Sequence, residues 1–487
     1  MKSTIFATAL ALGAAMTWPL HAANDEPLAP SQQTAVEHVA SIDQQLCEVN
    51  KAIWEFAEVG LEEHRSSALL QSKLKSAGFE VKADIAGMPT AFVASFGSGK
   101  PVIAILAEYD ALPGLSQQLT HERKPVVEDA PGHGCGHSGL GTAAMGAAMA
   151  VKRAMEEHKL PGTIRLYGTP AEETLIGKVY MTLAGTFDDV DICLHYHPGS
   201  KNETWSSSSK ALVSAKFTFS GTAAHASGSP ESGRSALDAV ELMNIGSNFM
   251  REHVKEDARI HYVITDGGGA PNVVPAKATV WYFVRANDHQ DVETNFRWLQ
   301  DIAQGAALMT RTKLALQIDT DCHEIIPNAP LSELIYQNMK RVGAPTFTQE
   351  EHEFARRLQA PITAEFGTKF EKSIDDEIHP VPRTPSPSKG STDVGDISWR
   401  VPTGGLRTTC MAAGSPGHSW QNVAAIGSSI GEKGIVYAAK VLAASAVELL
   451  EKPERVAAAQ ADFQDRMKKR EYFSFIPEGQ TAPAKIR

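Results

Sequence analysis

Cysteine is scarce in this chain: five in 487 residues, at Cys47, Cys135, Cys193, Cys322 and Cys410. An odd and sparse set excludes a disulfide scaffold and leaves at least one thiol free or bound to metal. Cys135 is the candidate for that role, and the other four read as buried apolar residues. A basic block is also missing, and the net charge is −11. That argues against nucleic acid as the main partner, although local arginines can still make a pocket for an anionic substrate. After the first residues no stretch reaches the ~20 apolar residues that cross a bilayer, so no membrane partner is expected. The one long apolar run is at the start. Lys2 is followed by apolar residues 5–16, too few to span, and Leu20-His21-Ala22-Ala23 offers a small-residue cleavage site. Residues 1–23 therefore read as a secretory signal peptide. Export is expected, to the periplasm of a Gram-negative source, with secretion as the alternative.

What remains is ordinary for a globular protein: 43% hydrophobic and 21% charged residues rule out wholesale disorder. At ~150 residues per domain the length suits about three units or two larger ones. Val36, Val39, Ile42, Leu46, Val49, Ile53 and Phe56 recur at steps of three and four. They predict an amphipathic helix that ends near Gly60. A second helix is expected over 66–77, with Gly78 as its C-cap. Apolar runs at 90–96 and 101–106 read as buried strands. A small-residue helix over 140–158, a strand over 163–167, a helix over 177–187 and a strand over 190–195 follow. This alternation predicts an α/β domain with a mostly parallel central sheet.

The pattern changes at Ser206-Ser207-Ser208-Ser209. Beyond it come a strand (212–220), a helix (235–254), two strands (259–265 and 279–286), a helix (292–310) and a strand (313–320). That βαββαβ order is the ferredoxin-like layout. The expected organisation is a catalytic domain in two parts, 24–207 and 322–487, interrupted by an inserted domain over 208–321. Residues 368–390, rich in Pro, Ser and charge, read as a long loop. A closing helix is expected over 433–450, and the final ~30 residues form a polar tail with some helical character.

Four segments carry chemistry. In Gly132-His133-Gly134-Cys135-Gly136-His137 a thiol and an imidazole stand one residue apart on a glycine loop that opens a helix. Both are good ligands for a borderline divalent ion, and the glycines let the two converge. Thr169-Pro170-Ala171-Glu172-Glu173-Thr174 puts adjacent carboxylates at a strand end, where one can bind metal and the other activate water. His195-Tyr196-His197-Pro198 also ends a strand, the position where open α/β sheets collect ligands. Gly414-Ser415-Pro416-Gly417-His418-Ser419-Trp420 offers one more imidazole. Taken singly, each has an ordinary reading as a turn, a solvated loop or a structural histidine. Together they supply enough donors for two metal ions with one carboxylate left as a base.

These segments resemble the M20 family of metallopeptidases and amidohydrolases. So do Gly221-Thr222-Ala223-Ala224-His225-Ala226 and Pro271-Asn272-Val273-Val274-Pro275. The resemblance runs from about residue 35 to 450. Gly390-Ser391-Thr392-Asp393-Val394-Gly395-Asp396-Ile397-Ser398-Trp399 and Gly417-His418-Ser419-Trp420-Gln421 are similar to the branch that hydrolyses aminobenzoyl-glutamate. The resemblance implies a zinc-exopeptidase-like catalytic domain and two divalent ions per subunit, manganese or zinc. Cys135, His137, Glu173, His197 and His418 would be the metal ligands, with Glu172 as general base and then acid. Asp110, in Ala107-Glu108-Tyr109-Asp110, would orient a ligand. His225 would donate to the oxyanion from the other subunit of a homodimer, and Asn272 and Arg285 would hold the substrate carboxylate. The activity implied is hydrolysis of the amide of an N-acyl amino acid, aminobenzoyl-glutamate first. A broader aryl-acyl amino acid amidohydrolase, a dipeptidase, or a non-catalytic metal- or peptide-binding protein on the same fold are the alternatives.

Overall fold

A computed structural model describes residues 27–485. The expected signal peptide at 1–23 lies outside the described residues. Among these, the strands are β1 (Glu80–Ala83), β2 (Phe92–Ser98), β3 (Val102–Ala107), β4 (Gly162–Gly168), β5 (Ile192–Gly199), β6 (Glu203–Thr204), β7 (Ala211–Ser220), β8 (Arg259–Asp266), β9 (Lys277–Ala286), β10 (Lys313–Cys322) and β11 (Thr403–Thr409). They form a seven-stranded sheet in the order β1-β2-β4-β3-β5-β11-β6 and a four-stranded sheet in the order β10-β7-β9-β8. In the large sheet β4, β3, β5 and β11 run parallel, and the rim strands are antiparallel. Central parallel strands are covered on both faces, which explains why β3 is buried along its whole length.

Helices His137–His158 and Ser429–Glu451 cover one face of the large sheet, and Pro30–Ser41 packs against both of them. The long helix expected at the start is two, Pro30–Ser41 and Asp43–Phe56, broken at Ile42. The apolar spacing continues through the break, so periodicity alone could not locate it. On the other face, residues of β3, β4 and helix Gly177–Leu183 share one apolar cluster with the inserted segment. The inserted sheet has the expected βαββαβ order, and all its pairings are antiparallel. Helices Ala236–Met250 and His289–Thr310 cover one face of it. Residues 368–390 contain no regular element. No helix among the described residues is long and apolar enough to cross a membrane.

The parallel strands place their carboxyl ends side by side. β3 leads into Glu108 and Asp110, β4 into Glu172 and Glu173, β5 carries His195 and His197, and β11 leads to the loop with His418.

Candidate metal centre

Helix His137–His158 starts at the centre of this edge. Gly136 sits between the two candidate ligands with φ +88°, and a Cβ there would meet Pro198 at 3.0 Å. Only glycine lets the loop turn so tightly that Cys135 and His137 face the same way. Cys135 Sγ lies 3.3 Å from His197 Nε2. Asp110 Oδ1 accepts from His137 Nδ1 at 2.8 Å, and its Oδ2 accepts from the Glu173 backbone N–H at 2.9 Å. Asp110 thus holds the His137 imidazole and the Glu173 backbone; the role the sequence suggests for it is to orient a ligand. Pro198 O accepts from His197 Nδ1 at 2.7 Å, which turns His197 Nε2 toward the thiol. His418 Nε2 lies 3.3 Å from Glu173 Oε2.

The backbone is shaped for this convergence. Ala171, Leu175 and His418 all adopt left-handed φ values of 54–59°, a conformation that non-glycine residues adopt at a cost. Two of them bracket the turn Glu172–Thr174, and the third is itself a candidate ligand. Ala171 is held there by the Glu63 carboxylate, which accepts from its N–H at 2.8 Å.

Burial and neighbouring charge set the electrostatics. Burial, with Glu173 beside it, pushes the Cys135 thiol up to about 12. Burial also lifts Glu173 to about 8. Burial and the Glu108 carboxylate hold Glu172 well above the usual carboxylate range. His197 is pushed down to about 3 by burial and by His137. Burial opposes charge on His137, but Cys135 and Asp110 outweigh it and raise its pKa. Protons are thus favoured on Cys135, Glu173 and His137, whose lone pairs a cation would use, and on Glu172 beside them. His137 Nε2 and Glu173 Oε1 are buried with no hydrogen-bond partner. Thiol, imidazole and carboxylate donors within 4.8 Å of one another fit a divalent ion, as Cys135/His137/His197 and as Cys135/Glu173/His418.

A cavity of about 360 Å³ opens over these residues, lined by Cys135, Glu172, Glu173, His197 and His418 together with Trp205, Phe283 and Arg285. Arg285 is half-buried, its Nε has no hydrogen-bond partner among the described residues, and its Nη1 donates to Ser391 Oγ at 3.5 Å. His225 and Asn272 do not line the cavity. They lie on adjoining exposed loops, with Asn272 O accepting from the Ala226 N–H. Register explains the separation: Arg285 pairs with Leu212 at the start of β7, and Lys277 pairs with Ser220 at its end. The two ends are about 27 Å apart at ~3.4 Å per residue, and both loops lie beyond the far end. Within one subunit, Asn272 therefore does not join Arg285.

Two histidines from the sequence motifs have other work. His133 is buried and bonds Ile53 O at 3.0 Å, and burial pushes it down to about 4. His195 faces Glu108 Oε1 at 3.2 Å. Sequence reasoning missed Glu108 and Lys178, both fully buried beneath the centre. For Glu108 there was a signal, an acidic residue closing an all-apolar strand. Lys178, in a short buried helix, had none.

Fold and site together define a metal-dependent amidohydrolase. The chain belongs to peptidase family M20/M25/M40, whose model matches residues 104–448. It is 43% identical over 428 residues to one of the subunits of the p-aminobenzoyl-glutamate hydrolase of Escherichia coli, covering 83% of this chain and 89% of that one. It is 26% identical to the Xaa-Arg dipeptidase of Mus musculus, covering 90% and 93%. An aminobenzoyl-glutamate utilization protein from Klebsiella pneumoniae shares the fold, with a TM-score of 0.59, 18% identity and coverage of 85% and 97%.

Proposed function

We propose that this chain hydrolyses the amide of aryl-acyl amino acids, with aminobenzoyl-glutamate as the first substrate to test. The observation that carries the reading is one cavity that reaches Cys135, Glu173, His197 and His418 and also Arg285, which has no carboxylate partner among the described residues. Cys135, His137, Glu173, His197 and His418 would hold two divalent ions. The thiolate favours zinc by softness, and the family resemblance keeps manganese as the alternative. When bound, such ions supply Lewis acidity toward a carbonyl and lower the pKa of a nearby water.

The chain's own groups do the rest. Glu172 lines the cavity beside the donors. It takes the proton of the attacking water and passes it to the leaving amine. Its burial suits the second step, because a carboxyl in a dry site holds a proton longer than one in water. Arg285 offers its planar fork to the substrate carboxylate, and burial has already removed part of its water. Trp205 and Phe283 give the cavity aromatic surface for an aryl group.

The oxyanion still needs a donor beyond the metal site, and His225 of the same chain stands beyond the far end of the inserted sheet. A second copy would supply it. The open edge of β8 exposes Val263 (57%) and Ile264 (45%), and the neighbouring helix exposes Ile245 (50%) and Phe249 (72%). An unpaired edge beside apolar side chains invites a twofold partner. The E. coli relative is by its name one of two different subunits, so a hetero-subunit is the competing occupant of this surface.

One experiment tests both parts. The purified chain is reconstituted with Zn2+ or Mn2+ and assayed on a panel that varies acyl group and amino acid separately. Glu172→Gln should lower kcat by ~10²–10⁴-fold while leaving metal content unchanged, and equal activity removes the catalytic assignment. Mixing Glu172→Gln with His225→Ala should restore activity after subunit exchange. If exchange occurs and activity stays at the level of the separate variants, His225 does not act across a homodimer.

A further inference from the structure

We propose that Glu108 is an additional metal-facing carboxylate of this centre, held in place by Lys178 and Asp393. The inference rests on the metal-dependent reading above and adds a donor outside the five residues named there.

Glu108 is the first residue beyond β3, and its side chain is fully buried. Its two oxygens have different surroundings. Oε1 accepts from Lys178 Nζ at 2.8 Å and faces His195 Nε2 at 3.2 Å. Oε2 has no hydrogen-bond partner and points at His137 Nε2, 3.4 Å away, which is also buried without a partner. Asp110 already occupies His137 Nδ1, so the remaining nitrogen is the one that can offer a lone pair to an ion. A lone pair and a carboxylate oxygen facing each other in a dry interior repel unless a proton or a metal ion lies between them, and an ion that binds here takes the place of that proton. Glu172 Oε2 is 3.8 Å from the same nitrogen. The three atoms lie within 4.8 Å of one another, with Glu172, the base, beside the position that Glu108 and His137 share.

The far side of Glu108 is built to keep it there. Lys178 Nζ also donates to Asp393 Oδ1 at 2.7 Å, and the Lys178 backbone N–H donates to Asp393 Oδ2 at 2.9 Å. Lys178 and Asp393 are fully buried. A buried ammonium gripped by two carboxylates cannot swing away, because breaking either contact strands a charge in the interior. Lys178 therefore acts as a positioning residue: it takes one oxygen of Glu108 and leaves the other aimed at the centre.

His137 is also grouped with Cys135 and His197, so Glu108 adds an oxygen donor to an ion that already has nitrogen and sulfur, as Glu173 does for the ion at Cys135 and His418. A carboxylate in each position suits Mn2+ beside a thiolate that suits Zn2+.

The first test is a crystal structure of the Mn2+-loaded protein. Glu108 Oε2 should sit at carboxylate–metal bonding distance, ~2.0–2.2 Å, from one ion. Two fully occupied ions with Glu108 touching neither would overturn the proposal. The second test is equilibrium dialysis with metal analysis on wild type, Glu108→Gln and Glu108→Asp. Glu108→Gln should retain one tight ion per chain and bind the other at least ~10-fold more weakly, with Glu108→Asp intermediate. If wild type binds two ions and Glu108→Gln binds both with unchanged Kd, this inference alone fails. If wild type binds no divalent ion, the metal-dependent reading fails with it. Should Glu108→Gln not fold, the wild-type crystal structure still decides.

Discussion

Among the described residues, two buried clusters of histidines and carboxylates can be compared by how their carboxylate oxygens are used. At the metal centre Glu108 Oε2 and Glu173 Oε1 are buried with no hydrogen-bond partner, whereas the buried atom left without one in the second cluster is a ring nitrogen, His323 Nε2. The second cluster lies where the inserted segment rejoins the large sheet. There His289 bonds Asp321 Oδ1 at 2.7 Å, and the Phe475 N–H fills Oδ2 at 2.6 Å. Tyr472 OH donates to Asp396 Oδ1 at 2.8 Å, His323 Nδ1 lies 3.0 Å from the same oxygen, and the His323 N–H donates to Oδ2 at 3.1 Å. Glu324 takes the His289 N–H and Arg470. The rings stack, His289 on His323 at 3.8 Å and His323 on Tyr472 at 4.3 Å. Both places combine buried histidines with buried carboxylates. The difference is whether the carboxylate oxygens are used up by the protein's own donors: the second cluster ties the C-terminal segment across the joint, while the first leaves donors facing one another.

That contrast can be tested, and the largest effect belongs to the first cluster. Cys135→Ser replaces a thiolate with a neutral hydroxyl. Its divalent-ion affinity should fall by more than the ~10–100-fold that outer partners contribute, with the melting temperature of the metal-free chain little changed. Unchanged metal content would show the cluster to be structural like its counterpart.

Acidity gives the next largest effect. The metal-free centre holds protons because Glu173 is lifted to about 8 and Cys135 to about 12. An ion must displace them, so affinity should climb as pH rises toward about 8, and binding should release protons. Calorimetry in buffers of different ionisation enthalpy measures that release. Affinity that stays flat with pH would contradict it. The second cluster has the opposite dependence, seen in stability. Burial opposes charge on His289, but Asp321 prevails and raises its pKa above 6.5. Its contribution is fully present below 6.5 and is lost as pH rises through the higher folded-state value.

The smallest effect is Tyr472→Phe. It removes one hydrogen bond to Asp396 and should cost about 1 kcal/mol in denaturant unfolding, with metal affinity unchanged. A shift in metal affinity would mean that the clusters are coupled through helix Val394–Ser398, which starts beside Asp393.

The failures of sequence reading have identifiable causes. Strand β11 was not expected, since Thr403–Thr409 contains two glycines and little apolar residue. It forms because the chain must pass close to other groups: a Cβ on Gly404 would meet Leu331 Cβ at 2.7 Å, and one on Gly405 would meet Trp205 at 3.3 Å. In Gly390-Ser391-Thr392-Asp393-Val394-Gly395-Asp396 the two acids look alike in sequence. Folded, Asp393 serves Lys178 under the metal centre and Asp396 serves the second cluster.

The amino-acid sequence by itself determined the alternation that makes the large sheet, the βαββαβ order of the inserted segment, and the candidate ligands at strand ends. These follow from spacing along the chain: period 2 or 3.6, a glycine beside a ligand, a carboxylate after a strand. Only the tertiary structure decided which histidine faces the centre, that Asp110 rather than solvent holds His137, that Glu108 and Lys178 lie beneath it, and that His225 stands far from its own Arg285. Those outcomes depend on contacts between residues tens to hundreds of positions apart, and on the cost of leaving a buried polar atom unpaired. That cost has no local signature, because it arises only when distant segments exclude water from one another.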